Sequence, residues 1–272
     1  MNIKALALDL DGTLTDSRKK LTCRTRTAIQ AAIDGGIKII LASGRPVLGI
    51  ESLARELLLY DRGGYILAYN GGQIIDCGTN SVIFERLLNI KYYAEICRSA
   101  RDFGVNALTY DAKGVVAESS MAEYVIKEAF NNGLSIRKVG KLEDEITSEV
   151  VKFMIVGEPN KIALALKSLR DKLQGSVNVF LSEPYFMELT APGIEKASAL
   201  ERLAAHLGIN SDEFCGIGDG FNDIPMLKFC GYAVAMANAY KEVKDVADYI
   251  TKSNDEEGVA AFLEDKVLGG LN

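Results

Sequence analysis

Asp9 interrupts the aliphatic run Leu6-Ala7-Leu8-Asp9-Leu10, and that run ends on Asp11-Gly12. Near-continuous aliphatic residues mark a strand covered on both faces, the least hospitable place for a charge. A carboxylate buried there without a cation or donors costs several kcal/mol, so Asp9 points to a metal or to chemistry. Asp11-Gly12 by itself is also ordinary turn chemistry, but a turn leaves Asp9 unexplained. The stretch Phe214–Gly218 repeats the pattern, running into Asp219 and then Asn222 and Asp223. Several acids meeting at one spot repel unless a hard divalent cation lies between them, and oxygen donors with water suit Mg²⁺. Ser43 and Gly44 follow another apolar run, where a hydroxyl and free backbone N–H groups can cradle a phosphate; an ordinary strand-to-helix turn before Pro46 fits equally. Lys196 opens a helical pattern, where a cation opposes the helix dipole and an anionic partner would relieve it; a solvated surface lysine is the alternative. Gly216-x-Gly218 does not read as a dinucleotide fingerprint, because position 221 is Phe and Asp219 would face the pyrophosphate.

The elements that must position these residues follow from periodicity. Buried strands are predicted at 6–10, 37–43, 65–72 and 214–218, with helices at 25–36, from Pro46 to about 59, and at 195–208. Shorter strands are expected near 232–237 and 247–251. Strand, helix, strand is a parallel crossover, and the polar residues fall at carboxyl ends, where open parallel sheets bind ligands. Between about 85 and 188 the pattern changes. Helical spacing at 90–103, 120–132 and 160–173 alternates with an apolar run at 149–157 and half-polar runs at 177–182 and 186–190. These suit an open sheet with one face covered. The expected fold is therefore α/β: a Rossmann-like parallel-sheet core of residues 1–84 and 190–272, with a second α/β domain inserted over 85–189.

Composition narrows the function. A net charge of −6 over 272 residues argues against non-specific nucleic-acid binding, while a local cluster of cations can still hold a small anion. No apolar stretch approaches the ~20 residues of a membrane span, and the N-terminal run is too short and acid-broken for a signal peptide, so a cytoplasmic protein is expected. The cysteines at 23, 77, 97, 215 and 230 are odd in number and form no C-x-x-C pair, which argues against a disulfide framework or zinc site. With His206 the only histidine, triad hydrolysis and histidine-based metal sites are disfavoured.

In order, DLDGT at 9–13, SGR at 43–45, Lys196 and GDGFND at 218–223 resemble the four motifs of the haloacid dehalogenase superfamily. The large insert between the second and third, with YNGG at 69–72, VAMANA at 234–239 and DEEGVAAFLE at 255–264, is similar to the Cof-type hydrolases, whose insert is a cap domain. That resemblance implies a phosphatase acting on a small phosphorylated metabolite, sugar phosphates foremost; a monomer or weak homo-oligomer is expected. It implies Asp9 as the nucleophile and Asp11 as the acid and base. Mg²⁺ would be held by the Asp9 and Asp219 carboxylates and the Asp11 backbone carbonyl. Ser43 and Lys196 would ground the phosphoryl oxygens, Gly44, Asn70, Gly71 and Asn222 would contact phosphate or substrate, and Asp223 would orient Lys196 or a metal-bound water. For Asn70, Gly71, Gly72 and Asn238, turn chemistry and capping stand beside substrate contact, and Glu256 and Glu257 read as solvated acids. Asp11 separates this chain from the transporting ATPases of the class, which carry Thr there. A sugar phosphomutase and a non-catalytic sensor of a phosphorylated ligand are the competing readings.

Overall fold

The computed structural model describes residues 2–270. The chain begins with β1 (Ala5–Leu8), α1 (Cys23–Asp34), β2 (Lys38–Ala42), α2 (Val47–Glu56), β3 (Tyr65–Ala68), β4 (Gln73–Asp76) and β5 (Ser81–Glu85). The middle adds α3 (Tyr93–Asp102), β6 (Asn106–Asp111), β7 (Gly114–Ala117), α4 (Glu123–Asn132), β8 (Ser135–Lys138), β9 (Lys152–Val156), α5 (Pro159–Lys172), β10 (Asn178–Glu183) and β11 (Phe186–Thr190). It closes with α6 (Lys196–Leu207), β12 (Phe214–Gly218), α7 (Ile224–Phe229), β13 (Tyr232–Ala235) and β14 (Tyr249–Ile250). Contacts divide these into two compact units, 1–84 with 195–272, and 85–194.

The first unit is built on a sheet in the order β14-β13-β12-β1-β2-β3-β4-β5. It is parallel from β14 to β3, and β4 then runs antiparallel to β3. β1 lies at the middle, with Ala5 to Leu8 paired on one side to Phe214 to Ile217 and on the other to Lys38 to Leu41. All four β1 residues are buried, as are Ile39, Ile40 and Leu41 of β2, which is the burial that continuous aliphatic strands require. α1 starts at Thr22, whose hydroxyl accepts the Thr25 N–H, and buries Ala28, Ile29 and Ala32 against the core.

The second unit holds a six-stranded sheet ordered β10-β11-β9-β6-β7-β8. One face, with Phe153, Ile155, Met187 and Leu189, packs against Ile96 and Cys97 of α3 and Ile162, Ala165 and Leu169 of α5. Alternation puts Lys152 and Glu188 on the opposite face, where they form a buried ion pair at 3.3 Å. On α4, Glu128 accepts a hydrogen bond from the Tyr110 hydroxyl at 2.6 Å. The crossing back to the first unit falls after 194, not after 189 as the sequence suggests, because β11 runs through Thr190, which pairs with Lys152. Strands β6, β7 and β8 lie where the periodicity indicated only helices and connections.

Candidate active site

β1 ends at Leu8 and delivers Asp9 into the loop beyond its carboxyl end; β12 does the same for Asp219, and α6 begins with Lys196. The Lys196 ammonium donates to Asp9 Oδ1 at 2.5 Å and to Asp223 Oδ1 at 2.6 Å, and the lysine side chain is 0% exposed. Asp223 Oδ2 accepts the backbone N–H groups of Asp219 and Gly220 at 3.0 and 2.9 Å, so both of its oxygens are engaged. Asp219 Oδ1 accepts from the Thr13 hydroxyl at 2.8 Å. One oxygen from each of Asp9, Asp219 and Asp223 lies within 4.8 Å of the others.

Three carboxylates against one ammonium leave a formal excess of two negative charges in a largely buried volume. Burial, reinforced by the charge of Asp223, pushes the Asp9 carboxyl well above the usual range in spite of Lys196. Burial also pushes Asp219 up to about 6, with Thr13 pulling the other way. Burial opposes the Lys196 charge, but the two carboxylates outweigh it and hold the ammonium protonated. The donor set is all oxygen and short of positive charge, which fits a hard divalent cation. The sequence-derived set took Asp9, Asp219 and, through its backbone, Asp11; Asp223 adds a third carboxylate beside them, with both of its oxygens already engaged.

The Asp11 side chain turns to other partners. Arg45 grips it with both prongs, Nε to Oδ2 at 2.7 Å and Nη2 to Oδ1 at 2.5 Å, and Lys19 stands at 3.7 Å. Burial works against this charge, yet the arginine and lysine hold the carboxyl below its usual range. Arg45 is itself steadied by the Gly49 carbonyl and by a backbone N–H bond to Ser43 Oγ at 3.2 Å.

Ser43 is buried after β2, and its carbonyl accepts the Asn70 N–H at 2.8 Å. Asn70, at a positive φ of 56°, accepts from Asn222 Nδ2 at 3.1 Å and packs closely on Gly44, where a Cβ would stand 3.1 Å from its amide nitrogen. Ser43, Gly44, Asn70 and Asn222 are thus brought together. Gly71, expected with the phosphate contacts, is buried against α6. With φ of 94° and a Cβ position 2.8 Å from the Glu195 carbonyl, packing alone accounts for the missing side chain. Sequence reasoning left Arg45 and Thr13 without roles, although both lie inside the quoted motifs.

The haloacid dehalogenase-like hydrolase family matches residues 6–263. A crystal structure of a haloacid dehalogenase-like hydrolase from Bacteroides thetaiotaomicron is 44% identical, with a TM-score of 0.95 over 96% of this chain and 98% of that one. A provisionally named phosphatase of Streptococcus pyogenes serotype M6 is 31% identical across 98% of this chain and all of its own length. A 5-amino-6-(5-phospho-D-ribitylamino)uracil phosphatase of Bacillus subtilis is 29% identical over 98% of this chain and 97% of that protein. The chain belongs to the haloacid dehalogenase-like hydrolases. Among the described residues no helix is long and apolar enough to cross a membrane.

Proposed function

We propose that this hydrolase removes phosphate from small phosphorylated metabolites in the cytoplasm, with Mg²⁺ as cofactor and Asp9 as covalent nucleophile. Its class, phosphoric monoester hydrolase, follows from family membership along 6–263 and from relatives named phosphatases over nearly their whole lengths. The observation that carries the finer reading is Lys196, buried between Asp9 and Asp223 beside Asp219 at the carboxyl ends of the central strands.

Asp9 attacks phosphorus, an Oδ–P bond forms as the bond to the leaving oxygen breaks, and Asp11 supplies the proton that oxygen needs. Water then attacks the aspartyl phosphate while Asp11 takes its proton, and phosphate departs with Asp9 restored. The Arg45 pair favours ionised Asp11, the form that accepts a proton in this second step. For the first step Asp11 must let go of Arg45 and carry a proton when it meets the leaving group; taking the proton of water in the second step returns it to that protonated form. Lys196 and the Ser43 hydroxyl offset charge on the phosphoryl oxygens, Asp223 fixes the lysine, and Gly44, Asn70 and Asn222 offer amide donors. Asp9, Asp219 and the Asp11 carbonyl would hold Mg²⁺, which when bound screens the approach of two anions and polarises the phosphoryl group. Residues 85–194 would set preference among leaving groups, with small sugar phosphates favoured.

Hydrolysis of a panel of sugar phosphates, nucleotides and a generic aryl phosphate, with and without chelator, tests this reading. We expect metal dependence throughout and a loss on the order of 10³-fold or more in Asp9→Asn for every substrate. Full activity in excess chelator, or near-normal turnover by Asp9→Asn, would overturn it.

A further inference from the structure

Asn238 lies in the loop after β13, in the VAMANA stretch that the mechanism leaves unused. Its side chain touches three other segments. Nδ2 donates to the Gly12 carbonyl at 2.8 Å and stands 3.5 Å from Asp219 Oδ2; Oδ1 accepts the backbone N–H of Asn254 at 3.0 Å. The partners fix which way the amide faces, since one side meets two oxygens and the other an N–H. Gly12, at φ of 84°, brings its backbone so close to Asp219 that a Cβ would lie 2.9 Å from the carboxylate carbon. Thr13 grips the other oxygen of Asp219.

We infer that Asn238 is a positioning residue for the cation site: it braces the Gly12 carbonyl and the Asp219 carboxylate in one register, so that the carboxylate is held in place before a cation arrives. This rests on the reading of Asp219 as a metal ligand and extends it to a residue outside the four motifs. A metal-binding carboxylate held by a neighbouring donor is worth typically 10- to 100-fold in affinity. The 3.5 Å contact to Asp219 is long, which places the expected effect at the lower end of that range.

Asn254 supplies the comparison. Its own side chain donates to the Thr15 carbonyl at 3.0 Å, bracing the same loop without reaching Asp219. Asn238 is exposed, so truncation leaves no cavity. The test titrates substrate-free wild type, Asn238→Ala, Asn254→Ala and Asp219→Asn with Mn²⁺ alone, reading free Mn²⁺ by electron paramagnetic resonance, with thermal melts alongside. We expect Asn238→Ala to raise the Mn²⁺ Kd about tenfold, and Asn254→Ala to leave it within about twofold while lowering Tm at least as much. An unchanged Kd in Asn238→Ala with a weakened Asp219→Asn overturns the role of Asn238 alone, as does equal weakening in both asparagine variants. Wild-type Mn²⁺ binding by Asp219→Asn overturns the metal reading and this role together.

Discussion

Lys196 is tolerable in a fully buried position because two carboxylates meet its ammonium, and those carboxylates are in turn tolerable because of the lysine and whatever further cation the third acid attracts. The balance sets a pH dependence. Asp219 in the metal-free folded protein takes up a proton near pH 6, whereas its ordinary value is 3.8. Between those values the folded state holds a proton that the unfolded chain lacks, so this group's contribution to metal-free stability falls as pH rises through about 6. A bound cation favours the ionised form and must displace that proton. The gain in Tm on adding Mg²⁺ should therefore be fullest above pH 6 and shrink steadily below it; an equal gain at pH 5 and pH 7.5 would contradict the assignment. Asp9 and Asp219 stand out in sequence because a carboxylate beside an aliphatic run needs a reason. The grip of Arg45 on Asp11 could not, since it depends on how a side chain turns across 34 positions of chain. The bracing by Asn238 spans 226 positions and is equally invisible to spacing.

Among the elements, the inserted sheet carries the sharpest energetic consequence. Lys152 on β9 faces Glu188 on β11, and its charge also acts on Glu128 of α4, whose carboxyl burial pushes up. Lys152→Met would leave two buried acids without their cation, which costs about 3–5 kcal/mol in comparable sites. Urea denaturation followed by circular dichroism should show that loss, with much of it recovered when Glu188→Leu is added. Equal stability of Lys152→Met and wild type would mean that the pair contributes nothing. Helices α1, α3, α5 and α6 were evident from their apolar spacing, as were β1, β2 and β12 from their unbroken aliphatic runs. Strands β6 and β7 were not. Their residues are buried on both faces yet interleaved with Thr109, Tyr110 and Asp111, and the tight turn at Asp111–Gly114 leaves no long polar break between them. The contact units divide at 85, where the sequence pattern changes, and again at 195, past the end of β11.

For the whole molecule, the position of β1 has a consequence for synthesis. Its partner on one side, β2, follows within about thirty residues, but β12 comes only after the entire second unit. A growing polypeptide leaving the ribosome thus exposes one flank of its central strand while more than a hundred further residues are translated. Residues 85–194 form a compact unit of their own and need nothing downstream of 194 to complete their sheet. The inserted unit should therefore mature first, and the acidic cluster at the strand ends last, when Asp219 and Asp223 emerge. Ribosome-bound chains stalled near residue 235 should yield a protease-resistant fragment spanning about 85–194 while the flanking segments are still cut. If resistance of the insert instead arose only once the full length was released, the two units would fold as one. During that interval the open flank of β1 is a template for unwanted strand pairing, and a chaperone bound to the N-terminal segment would be protecting a chain whose Asp9 is made about two hundred residues before Asp219 and Asp223.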